Sequence, residues 1–109
     1  MSITLPPIIA AFIQAENAHD SDALVACCTE DTIVYDDGHE LQGIAAIKAW
    51  SDRNNQEYNH TVDVTNVAQA DGETIVTAMV TGTFEGSPLQ FHYHFTLSGD
   101  KIARLSTLL

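Results

Sequence analysis

Ten residues, Leu89 to Ser98, constrain the architecture of this chain most. Leu89, Phe91, Tyr93, Phe95 and Leu97 alternate there with Gln90, His92, His94, Thr96 and Ser98. A strict period of two predicts a β-strand with one aromatic and one polar face. The aromatic face needs a large apolar cover, and the opposite end of the chain supplies it. Leu5, Ile8, Ile9, Phe12 and Ala15 follow helical spacing, with His19 closing the same stripe. Pro6 and Pro7 suit the start of that helix, where missing N–H groups have no partner to lose. Asp20-Ser21 caps a second, shorter helix, whose expected apolar stripe is Leu24, Cys27 and Cys28.

Between these ends, residues 31–50 read DTIVYDDGHELQGIAAIKAW. A β-rich run, Thr32 to Tyr35, meets the adjacent acids Asp36 and Asp37 before Gly38 breaks it. Gly43 then opens a third helix carrying Ile44, Ile47 and Trp50. Strand side chains alternate, so only one of the two acids is expected to enter a common cavity. A carboxylate at the inner end of an apolar strand can serve as a general base or acid. A solvated turn before Gly38 is the ordinary alternative for both.

The remainder is β. Residues 58–68 alternate in part, Asp71-Gly72 is a hairpin signal, and residues 74–84 form the partner strand. Glu85 to Pro88 and Ser98 to Asp100 are further turns, and Lys101 to Leu109 is a last strand. Helices first and strands after give the α+β class, with a curved, mixed or antiparallel sheet wrapped around three N-terminal helices. Such a bent sheet leaves a cone whose interior can hold a ligand.

A chain of 109 residues is expected to be one domain, residues 1–109. Its fifteen acids against four bases leave a net charge of −11, which repels phosphate backbones and anionic lipids. Neither nucleic acid nor membrane is an expected partner. The N-terminal stretch has no basic segment and contains Glu16, so it makes a poor secretory signal and the cytoplasm is the expected compartment. Asn59-His60-Thr61 matches a glycosylation sequon, which carries no weight without secretion. The neighbouring thiols Cys27 and Cys28 are expected to be reduced and buried on the second helix.

The order of elements, with FIQAENAHDSDAL, TEDTIVYDDG, GIAAIKAW and YHFTLSGDKIARL, resembles the SnoaL-like polyketide cyclase and ketosteroid isomerase group. That group has the cone-shaped, nuclear-transport-factor-2-like (cystatin-like) roll. The resemblance covers nearly the whole chain and implies that Asp36 occupies the place of the isomerases' proton-shuttling aspartate. It also implies that Phe12, which has no donor, stands at the oxyanion-binding tyrosine, and Tyr93 at the protonated aspartate. The expected function is binding of a small hydrophobic, carbonyl-bearing molecule, with isomerase- or cyclase-type proton transfer. Asp36 and Tyr93 are the catalytic candidates, and Phe12, Trp50, Phe91, Phe95 and His19 the substrate-binding ones. The alternative is a non-catalytic ligand-binding or dimerisation module of the same fold, or an accessory subunit whose sheet face docks on another protein.

Each candidate also has a structural role open to it. Tyr93 and Trp50 can be core residues, and His19 can cap its helix. His92 and His94 have the spacing of a two-histidine metal clip, but no third ligand is evident, so neither metal nor cofactor is expected. Their semi-polar face suits a second copy of the chain, making a homodimer the expected assembly. His39, beside Gly38, is expected to be exposed. Arg53 or Arg104 can pair with Asp36 or form an ordinary surface salt bridge.

Overall fold

The computed structural model describes residues 4–109. Helix α1 (Pro7–Ala18) starts behind Pro6 and ends at His19, whose φ of 54° places it in the left-handed region. Helix α2 (Ser21–Val25) is capped by Asp20, whose carboxylate accepts from the Ala23 N–H at 3.1 Å. Strands β1 (Cys28–Asp36) and β2 (His39–Gln42) form a hairpin, and α3 (Ile44–Tyr58) follows. Strands β3 (Thr61–Ala70), β4 (Glu73–Thr81), β5 (Leu89–Ser98) and β6 (Lys101–Leu108) complete the chain. Asp37-Gly38 and Asp71-Gly72 turn their hairpins with φ of 50°, 79°, 53° and 79°, the two positive values that a right-twisted hairpin favours.

The six strands form one mixed sheet in the order β2-β1-β6-β5-β4-β3, with β1 and β6 parallel and the other neighbours antiparallel. The α+β cone expected from the sequence is the architecture found. No helix among the described residues is long and apolar enough to cross a membrane.

Cross-strand register explains where the core ends. Val34, Leu105, Phe95 and Thr74 are successive partners across β1, β6, β5 and β4, and all four are buried. Phe12 of α1 meets Phe95 edge-on, with ring centroids 5.5 Å apart. Ile9, Ile47 and Ile102 close the same fully buried cluster. At the far end of α3, a Cβ on Gly82 would meet the Tyr58 carbonyl at 2.5 Å. Glycine therefore lets the helix end approach the end of β4, where the Thr83 N–H donates to the Tyr58 carbonyl.

The cysteines depart from expectation. Helix α2 lasts only five residues, so Cys27 lies in the turn beyond it and Cys28 begins β1. Both are buried and free, and burial pushes the Cys28 thiol up to about 11.

Candidate functional site

Two residues beyond the buried row, the sheet carries a different set of partners. Asp36 pairs with Thr107, Thr107 with Tyr93, and Tyr93 with Val76. Directly opposed residues share a face, so Asp36, Thr107 and Tyr93 point the same way from three adjacent strands. They face a cavity of about 1030 Å³, at the upper end of the roughly 300–1,000 Å³ usual for ligand pockets.

Asp36 is held from two sides. The Trp50 indole N–H donates to its Oδ2 at 2.9 Å, and the Thr107 hydroxyl donates to its Oδ1. A carboxylate offers about four acceptor positions, so two remain for a ligand after both bonds are made. Trp50 reaches this point because one face of α3 runs from the buried Ile47 and Trp50 to Asn54 and the exposed Tyr58, leaving the core for the cavity wall. Tyr93 is 6% exposed, and its hydroxyl makes no hydrogen bond among the described residues. Burial, then the nearby Glu16 and Asp36, raise its pKa well above the ordinary phenol value. The hydroxyl thus stays protonated at neutral pH, a neutral donor bordering the cavity.

The inner wall holds a second acid that the sequence reading passed over. Glu16 is 7% exposed and borders the same cavity. Burial pushes its carboxyl above the usual range, the hydrogen bond and charge of His60 oppose this, and Asp36 adds to it. His60 Nε2 lies 3.3 Å from Glu16 Oε2, while His60 Nδ1 is buried with no partner. An unpaired N–H costs more than an unpaired lone pair in such a place, so the proton is assigned to Nε2, which donates to Glu16. Glu16 was legible in principle. It follows Ile9 by seven residues and Phe12 by four, on the buried face of α1.

Of the residues singled out in the sequence, the structure brings Asp36, Tyr93, Trp50 and Phe91 to one cavity and leaves three outside it. Phe12 and Phe95 are 0% exposed and fill the core, because β5 carries its inward face past the end of the cavity. His19 caps α1. Its Nε2–H donates to the His60 carbonyl at 2.7 Å, and its ring stacks on His60 with centroids 5.4 Å apart. It borders a separate shallow depression with Asp20, Asp22, Lys48 and Asp52.

Asp36 and Asp37 both border the cavity, contrary to strict alternation, because the strand ends at Asp36 and Asp37 belongs to the turn. His39 is exposed at the rim. Neither arginine forms an ion pair with Asp36. Arg53 borders the cavity, and Arg104 lies 5.4 Å over the Tyr35 ring. His92 and His94 lie on the other sheet face, bonded to Thr77 at 3.0 Å and Glu73 at 3.2 Å. Among the described residues no group of three or more His, Cys, Asp or Glu is placed to hold a metal ion.

The SnoaL-like domain model matches residues 9–105. A proposed polyketide cyclase from Sinorhizobium meliloti is 31% identical, with 94% of each chain covered and a TM-score of 0.90. A protein of ketosteroid isomerase-like fold from Catenulispora acidiphila, in complex with trimethylamine, is 21% identical over 97% of this chain and 87% of its own, with a TM-score of 0.84. TerC, co-crystallised with polyporic acid, is 15% identical over 94% of this chain and 88% of its own, with a TM-score of 0.81. No protein of curated function matches the sequence.

Proposed function

The chain belongs to the SnoaL-like domain family, and from that membership we propose that its cavity binds a compact, largely apolar carbonyl compound and moves a proton on it. Asp36 takes the proton from the carbon next to the carbonyl. That C–H bond breaks, its electron pair forms the enolate, and Tyr93 donates a hydrogen bond to the developing oxyanion. The protonated Asp36 then returns the proton to the same carbon or a conjugated one, so nothing is gained or lost overall. Burial of Glu16, on the same wall, favours its neutral, donating form, the kind of group that is absent at Phe12. The polyketide cyclase-like structural neighbour and the small organic molecules accompanying two similar structures support small-molecule chemistry in this fold.

One observation carries the reading: Asp36 and Tyr93 flank Thr107 in one cross-strand row and border one cavity. Backbones two strands apart are separated by about 10 Å, a gap that a compact ligand and two inward side chains fill. The test is deuterium wash-in at the α-carbon of a small cyclic ketone in D₂O, followed by NMR. The protein is expected to accelerate exchange, and Asp36→Asn to reduce the acceleration by about 10²–10⁴ with the fold retained. Equal rates for the two proteins would remove Asp36 from the chemistry.

Phe12 favours a second reading. The α1 position that supplies a tyrosine donor in the resembled isomerases is here buried and apolar, as suits a binder without turnover. In either reading the assembly is a homodimer, paired through the outer face that carries Thr77, His92 and His94.

A further inference from the structure

The cavity differs between its floor and its mouth. Glu16, Trp50, His60 and Tyr93 are all less than a tenth exposed, whereas Asp37, Glu40 and Glu85 border the same cavity from exposed positions. Rings border the same cavity. Tyr58 and Phe84 meet edge-on at the mouth, 5.9 Å between centroids, and Phe91 is half-buried on the same lining.

Among the described residues, none of the three mouth carboxylates has a base within salt-bridge distance. The contacts of that kind among the described residues are the Lys48–Asp22 ion pair and the hydrogen-bonded His60–Glu16 and His94–Glu73 pairs. Among the described residues Arg53 is the one lysine or arginine on the lining, which also carries His39 and His60, against three acids at the mouth and Asp36 farther in. A cleft of one charge sign with low-dielectric walls concentrates the opposite charge, and aromatic faces attract cations directly. The hydroxyl of the buried Tyr93, unpartnered among the described residues and open to the cavity, independently marks the floor as a place where a ligand's polar atom completes a bond.

We propose that the ligand is bipolar: a compact carbonyl compound bearing an amine or quaternary ammonium group. Its carbonyl lies at Tyr93 and Asp36, and its cationic end lies at the mouth between the Tyr58, Phe84 and Phe91 rings and the carboxylates of Asp37, Glu40 and Glu85. This rests on the carbonyl-binding reading above and adds the charge of the ligand to it. A positive group held near the carbonyl also favours enolate formation by Coulomb attraction, and a negative one opposes it.

Three probes of similar shape test this: 4-(aminomethyl)acetophenone, 4-(hydroxymethyl)acetophenone and 4-acetylbenzoate, cationic, neutral and anionic at neutral pH. In calorimetric titrations at low salt, the cation is expected to bind about tenfold more tightly than the neutral probe, and the anion least tightly. The gap should close as salt rises from about 20 mM to about 500 mM. It should also close in the Asp37→Asn, Glu40→Gln, Glu85→Gln triple variant, with the neutral probe's affinity kept within about twofold. Asparagine tolerates the left-handed turn position of Asp37, and an unchanged circular dichroism spectrum checks the fold. Neutral binding equal to or tighter than cationic binding overturns the charge preference and leaves the carbonyl site standing. Failure of all three probes to bind overturns both.

Discussion

Two rows of the same sheet, about 7 Å apart along the strands, have opposite characters. Val34, Leu105, Phe95 and Thr74 form a row packed against Phe12, while Asp36, Thr107, Tyr93 and Val76 form the next row on the same face, whose first three members border a cavity. The helices make the same passage. Helix α1 goes from Ile9 and Phe12 to Glu16, and α3 from Ile47 to Trp50 and Tyr58. Core and site are therefore two lengths of one continuous interior. Which face a residue occupies is decided by its local period, and whether it meets packed atoms or open space is decided by its depth in the cone.

The contrast is sharpest at neighbouring inward residues of β5. Phe95→Ala empties a fully buried site and is expected to destabilise the protein by about 3–5 kcal/mol in urea denaturation. Tyr93→Phe keeps the ring and removes only a hydroxyl that has no hydrogen-bond partner among the described residues. Stability should barely change, while deuterium exchange on a bound ketone falls by about 10²–10³. If Tyr93→Phe costs as much stability as Phe95→Ala, the two rows are one core and the distinction fails.

The alternation of Leu89 to Ser98 made the inward face of β5 legible, and Asp20, Asp71-Gly72 and Gly43 marked their cap, hairpin and helix start. Depth was not legible. Phe91, Tyr93 and Phe95 look equivalent in a period-two pattern, and only the crossing of α1 and α3 over the sheet separates wall from core. Phe12 stood on a correct apolar stripe for the same reason and ended in the core. Glu16 obeyed helical spacing but, as a lone acid among apolar residues, passed for a surface group. His60 left no local signal at all. It is brought to Glu16 by the approach of α1 to β3, where the Asn17 side chain donates to the Val62 carbonyl at 2.9 Å and accepts from the Val62 N–H at 2.7 Å.

Glu16 supplies a smaller, pH-dependent test of the same contrast, because it is a titratable group at the floor of the cavity. Burial first of all raises its carboxyl above the ordinary 4.5, against the opposing effect of His60. A group raised in the folded state contributes stability fully below its unfolded pKa and loses that contribution as pH rises through its folded value. Glu16→Gln should therefore match the parent protein near pH 4 and become the more stable of the two as pH rises above 4.5. Thermal melts across that range check the sign. A difference that stays flat or reverses would mean that Glu16 is not desolvated.

Trp50 offers the most direct view of the site. It is the only tryptophan, and its indole N–H is bonded to Asp36 at 2.9 Å, so a single NMR resonance reports on the carboxylate proposed as the base. Titrating ¹⁵N-labelled protein with 4-(hydroxymethyl)acetophenone should shift that resonance saturably, together with the amides of Thr107 and Tyr93, and the indole shift should be lost in Asp36→Ala. A titration that saturates while the indole signal stays fixed, with shifts confined to the outer face around His92 and His94, would contradict a ligand site beside Asp36.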